Sequence, residues 1–207
     1  MFYLTGTPRW LRRFFPGCIW EIEENRPIVY LTFDDGPDPE VTPFVLDLLQ
    51  QYEMRATFFC IGKNVVAHPE VYARILREGH CTGNHTHHHL NGWKTDDATY
   101  FTDISQAAGV ITSDLFRPPY GRITRSQLRR LQEGTDAKRP VMWSVLSGDF
   151  DPKMTPKRCV RNVIEHTRPG SIITFHDSRK AFPVLREALP IILDQFQQRG
   201  WGSVGLS

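Results

Sequence analysis

A chain of 207 residues, 40% of them hydrophobic, holds enough apolar material to bury one sizeable core, and its composition sets off no second domain. Its formal charge of +2 lacks the concentrated basic face that nucleic acid requires, so no nucleic-acid partner is expected. No run approaches the roughly 18 apolar residues of a spanning helix, which argues against a transmembrane segment.

Residues 1–27 mix Trp10, Phe14, Phe15 and Trp20 with Arg12, Arg13, Pro8 and Pro16. That mixture suits an irregular segment packed over the end of a main domain at 28–207; a basic and aromatic membrane-surface anchor is the alternative. Arg12 and Arg13 follow apolar residues, the reverse of a secretory signal, so the sequence as given reads as cytoplasmic, with envelope association as the other option.

From Ile28 onward, strand and helix patterns alternate, as in a parallel α/β architecture. Residues 28–33 form the first strand. Val41, Phe44, Val45, Leu48, Leu49 and Tyr52 then recur at helical spacing, predicting a helix over 41–52. A strand at 56–61 and a helix marked by Val71, Tyr72, Ile75 and Leu76, closed by Gly79, come next. Cys81 to Gly83 is a short third strand. Thr95, followed by Asp96 and Asp97, is a candidate cap for a helix reaching Ala108.

Leu115 and Phe116 lead into Arg117-Pro118-Pro119-Tyr120-Gly121, where two prolines forbid regular structure. Thr124 with Gln127 matches a capping box for a helix through Leu131. Residues 141–145 read as the fifth strand, Thr155-Pro156 as a helix start and 171–175 as the sixth strand. A long helix over 181–198, which Pro190 should kink, and a last short strand near 201–206 close the chain. Cys18, Cys60, Cys81 and Cys159 form no CxxC pair and read as free thiols, with a Cys60 to Cys81 bridge as the alternative.

The chemistry concentrates at strand ends. Asp34 and Asp35 follow the first strand, and two adjacent carboxylates repel unless a positive group stands beside them. His85-Thr86-His87-His88-His89 supplies the complement: read as a helical turn, it puts His85 and His89 on one face. With Asp35 they make two imidazoles and one carboxylate, the ligand set of open catalytic zinc or iron sites. Arg117 and Tyr120, Asp149, and His176 with Asp177 follow later strands, at the end where barrel enzymes build their sites. His87 and His88 read as supporting or solvated, and His68, His80 and His166 as structural or exposed.

Five stretches in this order resemble the polysaccharide deacetylases of the NodB homology type, carbohydrate esterase family 4: Thr32-Phe33-Asp34-Asp35-Gly36-Pro37, His85-Thr86-x-x-His89, Arg117-Pro118-Pro119-Tyr120-Gly121, Ser147-Gly148-Asp149-Phe150, and Ile172-Ile173-Thr174-Phe175-His176-Asp177. The resemblance implies a distorted (β/α)7-type barrel and a divalent metal, zinc first, with cobalt or nickel as alternatives. It implies Asp35, His85 and His89 as ligands, Asp34 as general base and His176 as general acid. Arg117 would orient Asp34, the Tyr120 backbone N–H would help hold the oxyanion, and Asp149 would tune His176. Phe150, Thr174 and Leu146 depart from the residues the family often carries there, which bears on substrate preference.

The expected function is removal of N-acetyl groups from N-acetylglucosamine units of a glycan, peptidoglycan or chitin-like, by a monomer. A deacetylase of a small-molecule or lipid-linked sugar, and a sugar-binding module without catalysis, are the alternatives.

Overall fold

A computed structural model describes residues 4–133 and 137–206; the parts of segments 1–27 and 28–207 that fall on 1–3, 134–136 and 207 lie outside the described residues. In chain order the elements are α1 (Arg9–Arg12), β1 (Ile28–Asp34), α2 (Val41–Gln51), β2 (Ala56–Cys60), α3 (Gly62–Ala67), α4 (Pro69–Arg77), β3 (Cys81–Asn84), α5 (Asp97–Ala108), β4 (Leu115–Phe116), α6 (Arg125–Gln132), β5 (Arg139–Pro140), β6 (Val145–Leu146), α7 (Pro156–His166), β7 (Ile172–His176), α8 (Phe182–Gln198) and β8 (Gly202–Ser203). Every strand pairing is parallel, in the order β5-β4-β3-β2-β1-β7-β6, with β8 against the start of β1. The sheet curls into the distorted (β/α)7-type barrel that the family resemblance implies, within the parallel α/β architecture that the alternating pattern predicts.

The alternation of side chains along β1 divides the work of the fold. Val29, Leu31 and Phe33 face outward into the main core under α2 and α8, where Phe33 stacks on Phe58 at 5.2 Å and on Phe175 at 5.6 Å. Thr32 and Asp34, on the opposite face, are buried polar groups. The Thr32 hydroxyl donates to the Ile173 carbonyl at 2.9 Å. One strand thus anchors the core with odd-numbered residues and furnishes chemistry with even ones.

The fifth expected strand is two. The sequence over 141–145 reads as one apolar run, yet β5 ends at Pro140 and β6 begins at Val145. The physical reason is the buried Arg117 guanidinium, which draws in the carbonyls of Val141 (3.2 Å from Nε) and Met142 (3.0 Å from Nη2). The residues between the two strands pair instead with the N-terminal segment: Ile19 N–H donates to Pro140 O at 2.8 Å and Met142 N–H to Ile19 O at 2.8 Å. Leu146 N–H donates to Thr5 O at 2.8 Å, and Thr7 N–H to Ser144 O at 2.9 Å. The leading segment therefore supplies backbone partners to both outer strands, which would otherwise be open edges.

Local signals account for most helix starts. Thr124 and Gln127 form the full capping box of α6. The cap of α5 is Asp96, whose side chain accepts from Thr99 N–H at 3.0 Å, rather than Thr95, which ends the preceding turn. α8 runs without interruption through Pro190 and buries seven residues. All four cysteines are free: Cys60 lies opposite Asn84 and Cys81 opposite Thr57, so the two are out of register for a bridge. Among the described residues no helix is long and apolar enough to cross a membrane.

Candidate active site

The carboxyl ends of β1, β3, β4 and β7 converge on a cleft of about 280 Å³ lined by Asp34, Asp35, His85, His89, Tyr120 and His176. Of the five non-glycine residues with positive φ among the described residues, four are here: Asp35 (81°), Thr86 (61°), His89 (59°) and Tyr120 (61°). Left-handed backbone disfavours L-residues, so surrounding bonds must hold it.

Asp35 is the first residue beyond β1. Its Oδ1 lies 3.1 Å from His89 Nε2 and 3.6 Å from His85 Nε2. One ligand atom from each of the three residues falls within 4.8 Å of the others. Burial by itself would raise the Asp35 pKa, but the facing His85 and His89 outweigh it and hold the carboxyl well below its usual range.

His85 and His89 meet, but not on a helical turn. His85 follows directly on β3, and the chain then loops through left-handed Thr86 and His89 to bring the two rings to a centroid distance of 5.0 Å. The loop is held from below. Asn84 Oδ1 accepts Thr86 N–H at 2.8 Å, and the Thr86 hydroxyl accepts Leu90 N–H at 3.1 Å. From α5, Asp103 Oδ2 accepts the N–H groups of His87 (2.8 Å) and His88 (2.9 Å), while its Oδ1 pairs with His88 Nδ1 at 2.5 Å. His88 is thus a latch for the ligand loop, and His87 is buried beside it. His80 is a neutral structural residue that accepts Ala56 N–H at 3.2 Å, its pKa drawn down to about 4 chiefly by burial. His166 pairs through Nδ1 with Asn162 O at 2.8 Å, far from the site's chemistry.

The donor set fits a metal ion. His85 Nδ1 lies 2.7 Å from the Arg117 carbonyl, which can only accept, so that nitrogen carries the proton and Nε2 is turned toward Asp35. His89 Nδ1 is similarly engaged, at 3.1 Å from the Tyr120 hydroxyl. Two imidazole nitrogens then face Asp35 Oδ1, a buried oxygen that lacks a hydrogen-bond partner. A divalent cation would satisfy all three at once, with the His85 tautomer already fixed by the Arg117 carbonyl and the His89 ring held by the Tyr120 hydroxyl.

Asp34 has different company. Its Oδ1 accepts Arg117 Nη1 at 2.7 Å, and the same Nη1 donates to the Thr32 hydroxyl at 2.7 Å. Arg117 is fully buried and lies over the Phe59 ring at 4.0 Å. Burial lowers its pKa and the Asp34 charge opposes that fall, so the pair neutralises itself inside the barrel. Across the strands, Asp149 Oδ1 lies 2.8 Å from His176 Nδ1, and its Oδ2 accepts His176 N–H at 2.8 Å. Burial would depress the His176 pKa, but Asp149, with Asp35 and Asp34 further off, lifts it to about 9. Every residue named from the sequence for this site, Arg117, Tyr120 and Asp149 included, is in or against the cleft.

The departures lie there too. Thr174 Oγ1 is 3.2 Å from the Thr32 hydroxyl, extending the polar chain from Arg117, while Phe150 meets His176 edge-on at 5.0 Å. Leu146 contributes an apolar wall. Sequence reasoning missed Trp143, Arg122 and Lys180, which also line the cleft, because none stands in a strand-end motif of acid or imidazole. It also gave Asp177 no role beyond proximity. Asp177 is fully buried, accepts Gly36 N–H at 3.1 Å and the Thr42 hydroxyl at 2.6 Å, and donates its own N–H to Asp34 O at 3.0 Å. A Cβ on Gly36 would come within 2.0 Å of that carboxylate, so only glycine permits the turn to close on it.

A parallel barrel whose strand ends gather an arginine-held carboxylate, a carboxylate-held histidine and a preformed cation site is built for hydrolytic acid and base work. Residues 21–135 match the model of the family described as polysaccharide deacetylase. A peptidoglycan-N-acetylglucosamine deacetylase of Bacillus cereus is 35% identical over 194 residues, 91% of this chain and 90% of that one. A chitooligosaccharide deacetylase of Azorhizobium caulinodans is 34% identical over 164 residues, covering 75% and 76% of the two chains. The crystal structure of the Bc1960 peptidoglycan N-acetylglucosamine deacetylase superposes with a TM-score of 0.87 at 32% identity, over 97% of this chain and 95% of that one. The chain belongs to the polysaccharide deacetylase family, and the resemblance drawn from its five motifs is confirmed.

Proposed function

We propose that this deacetylase is metal-dependent and hydrolyses N-acetyl groups on N-acetylglucosamine units of a glycan, with zinc as the first-choice ion. The observation that carries the reading is the partnerless Asp35 Oδ1, buried opposite two imidazole nitrogens and flanked by the Asp34–Arg117 and His176–Asp149 pairs. The two polymers named for the relatives, peptidoglycan and chitooligosaccharide, support N-acetylglucosamine as the unit attacked.

Bound by Asp35, His85 and His89, the cation would polarise the acetyl carbonyl and acidify water. Asp34, aimed by Arg117, takes a proton from the attacking water as the water oxygen bonds to the carbonyl carbon. The backbone at Tyr120, turned left-handed between Pro119 and Gly121, offers its N–H to the oxygen on which negative charge develops. His176, charged and oriented through Asp149, delivers a proton to the nitrogen as the carbon–nitrogen bond breaks. One water is consumed, and acetate and a free amine leave.

The test is mass spectrometry of acetylated oligosaccharides and muropeptides after incubation with zinc-loaded protein. Loss of one acetyl mass per step is expected, along with its disappearance on chelation. No loss on any of these substrates with metal-replete, folded protein overturns the reading.

A further inference from the structure

Beside the catalytic cleft lies an aromatic ledge that the chemistry above does not use. Trp93 is 58% exposed, as is Tyr120. An exposed indole is commonly mobile, yet this one is fixed. Its Nε1 donates to Ile123 O at 3.0 Å and its backbone N–H to Asn91 Oδ1 at 3.0 Å. The short turn that carries it is tied down by Gln127 Nε2, which donates to Gly92 O at 3.0 Å. A Cβ at Gly92 would stand 2.6 Å from Arg122 O, so glycine allows the turn to lie directly on residue 122.

Arg122 joins the ledge to the cleft. Its guanidinium lies 5.3 Å from the Trp93 ring centroid while the residue lines the cleft. Among the described residues it has no carboxylate partner, and neither has Lys180 in the opposite wall. Of the cleft's own carboxylates, Asp34 pairs with Arg117 and Asp35 faces the His85 and His89 nitrogens, and neither pairs with Arg122. His89 packs against Tyr120 at 4.6 Å, Tyr120 and Arg122 both line the cleft, and Arg122 lies over Trp93. Flat, rigid, exposed aromatic surface beside an unpaired guanidinium suits a pyranose ring, whose apolar face stacks on the indole while an acidic substituent pairs with the arginine.

We propose that Trp93 and Arg122 form a subsite for the sugar next to the one deacetylated, in a glycan whose neighbouring ring carries a carboxylate. The inference rests on the deacetylase reading above and adds its substrate selectivity. Both residues are specificity determinants, with no part in the proton transfers.

The test compares three probes: N-acetylglucosamine itself, its neutral tetramer, and a tetrasaccharide of equal length with a carboxylate on alternate rings. For the native protein kcat/KM should rise from monomer to neutral tetramer and about tenfold again for the acidic one, mostly through KM, as one charged contact allows. Arg122→Gln should erase the difference between acidic and neutral tetramers. Trp93→Ala should erase the gain with length, and Trp93→Phe should restore most of it. An unchanged acidic preference in Arg122→Gln, or an unchanged length dependence in Trp93→Ala, overturns the subsite. Should the native protein release no acetate from any probe, the deacetylase reading falls. Calorimetric binding of the acidic tetrasaccharide to native and Trp93→Ala protein then decides the ledge alone, with equal affinities overturning it.

Discussion

Asp34 and His176 are register partners, directly opposite each other on the adjacent parallel strands β1 and β7. Neighbouring strands run about 4.8 Å apart, so a single pairing sets the distance between the group proposed to take a proton and the group proposed to give one. Each is fixed from behind by a buried residue of opposite charge, Arg117 for Asp34 and Asp149 for His176. The fold thereby fixes a carboxylate and an imidazole opposite each other on two adjacent strands.

Asp34→Asn is expected to lower acetate release by about 10² to 10⁴, the range for loss of a positioned base. The amide can still accept from Arg117 Nη1 but leaves that buried guanidinium without its counter-charge, so the thermal unfolding midpoint should fall as well, and turnover is read below it on folded protein. Acetate release by a coupled assay, beside a melting curve, checks both. Near-native turnover would remove Asp34 from the role of base.

His176 gives the pH dependence its alkaline side. Its pKa is lifted from 6.5 to about 9 in the metal-free protein, so its contribution to stability is complete below pH 6.5 and disappears as pH climbs through 9. Metal-free native protein should lose stability between pH 7 and 9.5, and His176→Ala should not show that loss. For catalysis the proton-donating form also vanishes upward, placing the alkaline limb of kcat/KM at or below pH 9. Asp149→Asn removes the principal raising charge and should shift that limb down by about one unit or more. An alkaline limb unmoved in Asp149→Asn would break the link between the pair and the acid role.

How much of this could be read from the residues differs by element. β1 was legible because a buried strand ending in Asp34-Asp35-Gly36-Pro37 carries its pattern and its stop within a few residues. The histidine pair was legible as a pair and misread as a helical turn, since spacing four is shared by a helix and by a loop with left-handed Thr86 and His89. Only tertiary bonds from Asn84 and Asp103 decide between them. The split at 141–145 was invisible for the same reason: it answers to a guanidinium that arrives from β4, over twenty residues earlier. Trp93 and Arg122 meet through a glycine-permitted contact between two loops, a relationship without local periodicity.

Asp103 should matter to the proposed metal although it touches none of the atoms that would hold it. It holds two N–H groups of the ligand loop and the His88 ring, and its loss frees a segment bent into left-handed backbone. Asp103→Ala is expected to weaken zinc binding about 10- to 100-fold, the usual effect of removing such support. Competition against a chromophoric chelator measures this directly, without recourse to turnover. Full-strength zinc binding with unchanged activity in Asp103→Ala would show that β3 alone positions His85 and His89.

Asp177 offers a sharper contrast between charge and shape. Burial pushes its pKa well above the usual carboxylate range, and the nearby Asp35 adds to the rise, against the Thr42 hydrogen bond that pulls the other way, so the site favours the neutral carboxyl over the charged one more than water does. An amide has nearly the same outline and can still accept Gly36 N–H. Asp177→Asn should therefore leave stability within about 1 kcal/mol of native, since the amide keeps the acceptor for Gly36 N–H at a site that disfavours a charge. Asp177→Ala strands Gly36 N–H and the Thr42 hydroxyl in a dry site and loosens the turn that aims Asp34 and Asp35. A cost of about 2 to 4 kcal/mol is expected, with a fall in kcat/KM that the Asn variant does not share. Urea denaturation of the two variants separates the cases: comparable destabilisation in both would mean that the buried carboxyl is ionised and acts through its charge.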